Sequence, residues 1–524
     1  MTELSARARW SIALLAAIVW AATQATTGRD VVNTGGTDSF ARFWTSIGDP
    51  ELAGDFVRTT LDATLTTASF AVLGTVVSVA VGLVAGPLVS ERVWESADRR
   101  PVAVWWRRSI RTVVRMCFVV PRAVHEVIVA LLLVQVLGFD PLVAILAIGL
   151  QFGAVTTKVY GDIVDDADPQ AFRALRAAGA SRLSALTYGV APAVRRDLVS
   201  YAFYRLECAV RSAAVLGIIG AGGLGFQLDL SFESLRYGEI WTLIIALMIL
   251  SGLADAWSSK VRHEQSARVQ RRSWMLVVAS IPLAAWQVGL RPDRLWSGRT
   301  RRLTRDLIDD LLPPRLGPGG WNELVAATID TLAMSILATS IAVAGGLAMA
   351  TAAARPWHDG ARHRRRATGT ATRLTLLLFR AVPAPVWAFL VVLILFPGIW
   401  PGAVALGIYN LGVLGRLFAE VIEDHDDRAR RQLAASGASP IQQFAYAVLP
   451  TTAPRLAALA LYRWEVITRE TVIVGVVGAA GLGRLIQEHL VARDFAAVVG
   501  AIGGLVVLTA VIDLTSTRLR RALR

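Results

Sequence analysis

The sequence predicts an all-α integral membrane protein with about 12 transmembrane helices in two parallel six-helix repeats. Hydrophobic residues make up 54% of the 524-residue chain, and the mean hydropathy is +0.51. A soluble protein seldom carries so much apolar residue, because its surface must face water. Several apolar runs, such as residues 68–88, reach the ~20 residues that cross a bilayer. The second half of the chain also repeats features of the first.

The repeat appears as short motifs at one constant spacing. Gly179-Ala-Ser recurs 258 residues later at Gly437. The same spacing relates three further pairs: Arg122 and Arg380, Pro192 and Pro450, and Tyr204 and Tyr462. A constant spacing over roughly a hundred residues indicates a duplicated unit. We therefore predict two domains, 1–262 with a core of about 60–258 and 263–524 with a core of about 325–515.

The apolar segments place six helices in each half. In the first half we expect helices near 10–24, 60–88, 111–137, 141–160, 198–226 and 238–258. In the second half we expect helices near 273–290, 325–353, 373–396, 400–420, 456–482 and 494–514. An even number of spans leaves both halves in the same membrane orientation.

The first helix of each half is interpreted as a membrane anchor. The apolar run after Arg7 and Arg9 has the form of a cleaved signal peptide. Residues 271–289 repeat that pattern in mid-chain, with Trp274 in the place of Trp10. A mid-chain copy cannot be a cleaved leader, so we expect both segments to stay in the membrane.

The net charge of +14 is carried mainly by arginines between the apolar spans. Basic loops mark the cytoplasmic face, which assigns both termini, 89–110, 259–272 and 355–373 to that side. Residues 291–315 are rich in arginine yet fall on the other side, where one hypothesis is a docking surface for an external protein. Nucleic-acid binding is not expected, because we find no base-reading element on a basic folded face.

An alanine-rich cytoplasmic segment lies between the fourth and fifth helices of each half. Asp168 is suited to cap a helix that begins at Pro169, and Gly179 suits its left-handed end. Ser181 is suited to cap a second short helix, which Pro192 is expected to end. The small residues leave a face that a partner protein can approach closely. The alternative is an interfacial amphipathic loop without a partner.

The candidate partner-binding residues come from both copies of this segment. They are Ala174, Ala177, Ala178, Gly179, Ala180, Ser181 and Pro192 in the first half, and Leu433, Ala434, Ala435, Gly437, Ala438, Ser439 and Pro450 in the second.

The fifth helix of each half carries charges that are costly in a membrane. An arginine at mid-bilayer costs about 2.5–3.5 kcal/mol on insertion scales. Glu207 and Arg211 stand four residues apart in the favourable order for a helical ion pair, and Glu465 and Arg469 repeat the arrangement. Arg205 and its equivalent Arg463 have no obvious local partner. The glycine-rich runs that follow, 217–225 and 475–483, predict either close helix packing or a break in the helix.

These motifs resemble a known family. Leu433 to Pro440, followed by Leu449-Pro450, is similar to the coupling segment of ABC importer permeases. Tyr462-Arg-Trp-Glu, with Arg469 and a glycine-rich close, resembles the phosphonate-type ABC permeases, as does Leu411 to Glu420. The first half departs at three positions: Ala191, Leu206 and Cys208. The resemblance covers most of both halves and implies a type I ABC importer fold.

The resemblance implies the permease subunit of an ATP-driven importer for phosphonate or a related oxyanion, phosphate or phosphite, in a bacterial plasma membrane. Two copies of an ABC ATPase subunit would dock on the coupling segments, and a periplasmic or lipid-anchored binding protein would deliver the substrate. Guanidinium groups match phosphorus oxyanions, so the candidate pathway residues are Arg205, Glu207, Arg211, Arg463, Glu465 and Arg469. The alternative is that the Glu–Arg pairs only hold helices together.

The chain is not expected to be an enzyme, to hold a metal or to bind a cofactor. Neither of its lysines, Lys158 and Lys260, follows a glycine or precedes Ser or Thr, as a phosphate-binding loop requires. ATP and Mg would therefore be used by the partner ATPase. We also find no catalytic constellation in the sequence. Two alternative functions stay open: an ABC permease for another small solute, such as methionine or betaine, and an ion-coupled secondary transporter.

Overall fold

The computed structural model describes residues 6–27, 30–94, 101–264, 266–354 and 362–523. These residues are mostly helical, and the extended pairing found among them is one isolated bridge between Val32 and Leu395. The prediction of an all-α protein is confirmed.

The helices of the first half are α1 (Ala6–Thr26), α2 (Thr37–Thr45), α3 (Gly54–Val89), α4 (Pro101–Cys117), α5 (Val119–Ala123), α6 (Glu126–Leu137), α7 (Pro141–Asp166), α8 (Pro169–Ala177), α9 (Arg182–Ala185), α10 (Ala191–Leu216), α11 (Gly223–Glu233) and α12 (Tyr237–Glu264). The second half contains α13 (Ala267–Gln287), α14 (Gly298–Leu311), α15 (Gly320–Ala353), α16 (Arg362–Ala381), α17 (Ala384–Ile394), α18 (Ile399–Glu423), α19 (Arg428–Ala435), α20 (Pro440–Gln443), α21 (Leu449–Val476), α22 (Leu482–Val491) and α23 (Phe495–Leu523).

Seven helices in the described residues are long and apolar enough to cross a membrane, and nine when each of two bent helix pairs counts as one span. The seven are Gly54–Val89, Pro141–Asp166, Tyr237–Glu264, Gly320–Ala353, Ile399–Glu423, Pro440–Val476 and Phe495–Arg520. This confirms a multi-pass membrane protein, while the total of 12 spans stays a prediction.

The third predicted helix of each half is broken, in the second half at a proline. The helix expected over 111–137 is three helices, and α4 ends at Cys117, shortly before Pro121. The helix expected over 373–396 bends by 93° between α16 and α17, around Pro383. Proline lacks the N–H that continues a helix and restricts the residue before it. The prediction of one continuous helix was therefore wrong in both halves.

The chain forms two compact units that do not follow the order of the sequence. The first-repeat unit is Ser46–Asp309, and the second-repeat unit joins Met1–Thr45 to Asp310–Arg524. Within the second-repeat unit α1 packs against α15, and within the first-repeat unit α13 packs against α3. Each anchor helix therefore packs on the core of the other repeat. The predicted boundary at 262 describes the sequence repeat and stays a prediction.

Each unit is built around one closely packed helix pair, α3 with α7 and α15 with α18. Small residues allow the backbones to approach: a Cβ at Gly74 would lie 2.7 Å from Ile148, and one at Gly407 would lie 2.7 Å from Ile341. Close packing around small residues is how membrane helices associate without a hydrophobic driving force. The helices that carry the candidate sites, α10 and α21, pack against these pairs.

The glycine-rich runs break the fifth helix. A 55° bend separates α11 from the helix before it, and Gly220 and Gly222 have φ values of +94° and +99°. In the second half Gly478 and Gly481 have φ values of +99° and +97°. Left-handed backbone is readily available to glycine alone. The predicted break is therefore observed, together with close packing, since a Cβ at Gly475 would lie 2.6 Å from the Gly483 Cα.

Candidate coupling and translocation sites

The first alanine-rich segment is a helical hairpin held by its caps. The Asp168 carboxylate accepts a hydrogen bond from the Gln170 backbone N–H (2.9 Å) at the start of α8. Gly179, at φ +87°, ends α8, and the Ala180 N–H donates to the Leu175 carbonyl (3.0 Å). The Ser181 hydroxyl then caps α9 by accepting from the Ser184 N–H (3.0 Å). The chain therefore turns sharply between two short helices, as the capping pattern predicts.

The second alanine-rich segment repeats this turn with a capping box. Gly437 has a φ of +82°, and the Ala438 N–H donates to the Leu433 carbonyl (3.0 Å). Ser439 caps α20, and the Gln442 side-chain oxygen accepts a hydrogen bond from the Ser439 N–H (2.8 Å). Reciprocal bonds of this kind satisfy two backbone groups at the helix start. Both copies thus present the same turn.

The role predicted for Pro192 was wrong. Pro192 and Pro450 lie in the first turns of α10 and α21, and neither ends a short helix. One π-helical turn, Leu186–Val190 or Phe444–Val448, joins the short helix to the long one. A wider turn of this kind accommodates proline, which has no N–H to continue the regular α-helical hydrogen bonds. The hairpin is therefore continuous with the fifth helix, so a displacement of the hairpin can be transmitted along that helix.

The hairpins expose large apolar side chains as well as small ones. Leu183 and Tyr188 are 70% and 79% exposed, and Ile441 and Tyr446, 258 residues later, are 80% and 75% exposed. Among the predicted residues Ala174, Ala177 and Ala178 are exposed, as is Ala435. Sequence reasoning looked for small residues and missed the apolar pairs, although their common spacing was visible. We name the exposed apolar surface of each hairpin its coupling face: Leu183 and Tyr188 in the first, and Ile441 and Tyr446 in the second.

The two hairpins are held by different buried side chains. In the first, the buried Phe172 packs with Ala185 and Val190. In the second, the equivalent position is Arg430, which is also buried. Its Nε and Nη2 donate to the two carboxylate oxygens of Asp427 at 2.8 and 2.7 Å. A two-point contact of this type fixes orientation as well as charge.

The Asp427–Arg430 contact gives a pH prediction. The hydrogen bond from Arg430 holds the pKa of Asp427 below its ordinary value. The stabilisation is therefore complete above the ordinary pKa of about 3.9 and is lost only as pH falls through the lower folded value. We expect Asp427→Asn to speed hydrogen exchange in α19 equally at pH 5 and pH 8.

The matched control is Asp426→Asn, since Asp426 pairs with Arg428 in an exposed contact of 3.7 Å. Exposed pairs contribute little, so this variant should leave exchange in α19 unchanged. An Asp427→Asn effect that appears only at the higher pH would contradict the prediction.

Arg205 lies in α10 among aromatic side chains. Its Nε and Nη2 donate to the Tyr201 hydroxyl at 2.8 and 2.5 Å. Its guanidinium carbon lies 4.9, 5.1 and 5.7 Å from the ring centroids of Phe152, Tyr201 and Tyr204. Within the described part of the chain, no carboxylate pairs with it. We name Arg205, Phe152, Tyr201 and Tyr204 the Arg205 cage.

Arg463, the equivalent in α21, has a different environment. Its Nη2 contacts the Glu470 carboxylate at 2.9 Å, and its Nε donates to the Asn410 side-chain oxygen. Asn410 in turn donates to the other oxygen of Glu470 at 2.9 Å. Asn410 and Glu470 are both buried. Sequence reasoning treated the two arginines as equivalent. It could not identify the partners of Arg463, because Asn410 lies on another helix and Glu470 lies about two turns further along α21.

The glutamates of the fifth helices pair with the last helix of their own half. Glu465 contacts Arg520 on α23 at 2.9 Å. Glu207 contacts Arg262 on α12 at 3.6 Å, and also the predicted Arg211 at 3.5 Å. The predicted Glu465–Arg469 contact takes another form, since the Arg469 Nε donates to the Glu465 backbone carbonyl at 3.4 Å. The sequence analysis missed both Arg262 and Arg520, which are 258 residues apart.

Removing Arg520 should destabilise the second-repeat unit. Arg520→Gln leaves the largely buried Glu465 without its cation, and an ion-paired hydrogen bond contributes ~1.5–3 kcal/mol. We expect a lower midpoint of thermal unfolding in detergent and partial recovery in Arg520→Gln/Glu465→Gln, which removes the uncompensated charge. Arg518→Gln, on an exposed residue of the same helix, is the control. Equal midpoints for Arg520→Gln and Arg518→Gln would contradict the prediction.

Comparisons with known proteins identify one family. Residues 101–258 and 332–524, more than half of the chain, match the family described as "Binding-protein-dependent transport system inner membrane component". One match lies in each sequence repeat. The matched segments include both alanine-rich hairpins and both arginine-bearing fifth helices.

Two curated proteins and one solved structure are similar to this chain. The phosphate-import permease protein PhnE of Mycolicibacterium smegmatis is 27% identical over 74% of this chain and 73% of its own length. The phosphite transport system permease protein PtxC of Stutzerimonas stutzeri is 34% identical over 47% of this chain and 86% of its own length. A chain of the inward-facing MetNI methionine ABC transporter is 19% identical, covers 40% of this chain and all of that one, and has a TM-score of 0.36.

The family match spans both halves, and it agrees with the apolar helices and with the duplicated hairpin motif. The chain therefore belongs to the binding-protein-dependent transport system inner membrane components, as a multi-pass permease subunit of an ABC importer.

Proposed function

We propose that this permease passes a phosphorus oxyanion, such as phosphate, phosphite or a phosphonate, into a bacterial cell. The observation that carries the proposal is the Arg205 cage, whose arginine lies on α10, the helix that continues from an exposed coupling hairpin. Arginine pairs its donors with the oxygens of such anions. The similarity to a phosphate-import permease and a phosphite permease supports the same substrate class.

In this proposal ATP is bound and hydrolysed by partner subunits. Two copies of an ABC ATPase dock on the cytoplasmic side, one on the coupling face of each hairpin, and they use ATP and Mg. A periplasmic or lipid-anchored binding protein delivers the anion to the opposite side. Each hairpin runs into its fifth helix through one π-helical turn, so closure of the ATPases moves the substrate-facing helix.

Reconstitution tests the proposal. The chain, with the ATPase and the binding protein that copurify with it, is placed in liposomes and given labelled phosphate, phosphite and methylphosphonate. We expect uptake of at least one oxyanion only when ATP is present on the ATPase side. The mass of the complex should show two ATPase subunits per chain.

Three outcomes contradict parts of the proposal. Uptake driven by an ion gradient without the ATPase indicates a secondary transporter. Uptake of methionine or betaine, with none of the oxyanions, indicates another substrate class. A mass that fits one ATPase subunit contradicts docking on both hairpins.

A further inference from the structure

Two positions that surround the fifth-helix arginines differ between the two halves. At the constant spacing of 258 residues, Arg205 corresponds to Arg463. Phe152 in the first half corresponds to Asn410 in the second, and Ser212 corresponds to Glu470. The two residues that bind the guanidinium of Arg463 are thus replaced by an aromatic ring and a hydroxyl around Arg205.

The second-half arginine is neutralised by these partners. Glu470 supplies a full negative charge at 2.9 Å from Nη2, and Asn410 links the two side chains. All three groups are largely buried, so their removal from water is compensated within the cluster. A substrate anion that approached Arg463 would have to displace a carboxylate that is already hydrogen-bonded in place.

The first-half cluster leaves the cation uncompensated. Ser212 directs its hydroxyl to Glu126 at 2.6 Å, and Glu126 also lies 3.1 Å from the His125 ring nitrogen. That carboxylate is therefore engaged elsewhere. The aromatic faces of the Arg205 cage stabilise a cation, and Tyr201 occupies Nε and Nη2. The described residues offer Nη1 no hydrogen-bond acceptor.

We propose that the two halves contribute unequally to anion recognition in the membrane. Arg205 contacts the phosphorus oxyanion through the hydrogen-bond donors that Tyr201 leaves available, whereas Arg463 has a structural role in its ion pair with Glu470. This inference rests on the proposed function. A cation on a membrane helix is costly without a counter-ion, and a passing oxyanion supplies one transiently. The aromatic cage holds the guanidinium in place while keeping it available, which a carboxylate would not do.

The test compares neutralising variants in reconstituted liposomes. Arg205→Gln should lower phosphate uptake at least ~10-fold, the effect of losing one charge-assisted hydrogen bond. The amount of ATPase that copurifies should stay within about twofold of the wild type, because the side chains of the coupling faces are unchanged. Arg205→Lys, which keeps the charge but loses the paired donors, should be intermediate.

The matched control removes the Arg463–Glu470 ion pair without leaving an unpaired charge. Arg463→Gln/Glu470→Gln deletes both partners together, and we expect uptake to stay above that of Arg205→Gln by several-fold. The converse variant, Glu126→Gln/Ser212→Glu, moves a carboxylate to the position that it has in the second half. It keeps the net charge of the cluster and should reduce uptake as Arg205→Gln does.

The outcomes separate the inference from the function on which it rests. Equal uptake by Arg205→Gln and the wild type, or equal losses in Arg205→Gln and Arg463→Gln/Glu470→Gln, would overturn the inference while wild-type uptake upholds the function. A wild type that takes up none of the oxyanions overturns both. If Arg205 instead binds a lipid phosphate, the effect of Arg205→Gln will follow the anionic lipid content and leave the KM for phosphate unchanged, which also overturns the inference.

Discussion

Placing an aspartate at both Leu183 and Ile441 is expected to abolish ATPase docking and ATP-driven uptake together. These side chains are 70% and 80% exposed at equivalent positions of the two hairpins. Burying an apolar anchor at the centre of an interface contributes ~2–4 kcal/mol, and an aspartate in its place must also lose its hydration. We expect docking to weaken more than tenfold, measured as the amount of ATPase that copurifies.

The control for that variant is Ile308→Asp. Ile308 is 50% exposed on α14, which the order of the predicted spans assigns to the outer side despite its basic charge. The same chemical change there should leave docking intact. Normal docking in Leu183→Asp/Ile441→Asp would refute the role of the coupling faces. The two single variants will also show which hairpin contributes more to docking.

Replacing Gly481 with alanine is expected to prevent formation of the second-repeat unit. Gly481 has a φ of +97°, a backbone that costs other residues about 1–2 kcal/mol. A Cβ there would lie 2.6 Å from the Thr331 hydroxyl and 3.2 Å from the Thr331 backbone nitrogen. That hydroxyl accepts a hydrogen bond from the Leu482 N–H at 2.8 Å, so α22 would be displaced from α15. We expect a large loss of detergent-stable protein and of uptake.

The neighbouring glycine isolates the steric part of this effect. Gly478 has a φ of +99°, but a Cβ there meets nothing within 4 Å. Gly478→Ala should therefore show the conformational cost alone. Gly223, with a φ of +77° and a Cβ position 2.5 Å from the Thr67 hydroxyl, offers the same test in the first half. Equal stability of Gly481→Ala and Gly478→Ala would contradict the steric argument.

Predictions from the sequence were most successful where the deciding interactions are local. The caps of Asp168 and Ser181, and the left-handed end at Gly179, depend on residues within one helical turn. Composition and apolar run length alone identified a multi-pass helical protein. The misplaced role of Pro192 was also a local matter, but a π-helical turn is seldom distinguishable in sequence.

Interactions between helices could not be predicted in the same way. Glu465 was paired with the residue four positions away, whereas its carboxylate contacts Arg520, 55 positions away. Helical spacing restricts which residues share a face, but it does not say which helix packs against that face. The anchor helices show the same difficulty, because α1 packs with α15 and α13 with α3.

The duplicated sequence is sufficient to establish the membrane fold class, the two hairpins and the arginines on the fifth helices, because each depends on composition or on residues close in the chain. Tertiary packing decides that Arg463 pairs with a carboxylate, whereas none of the described carboxylates pairs with Arg205. The partners Asn410 and Phe152 stand on other helices, and the charge state of a buried cluster depends on every group brought within hydrogen-bonding distance.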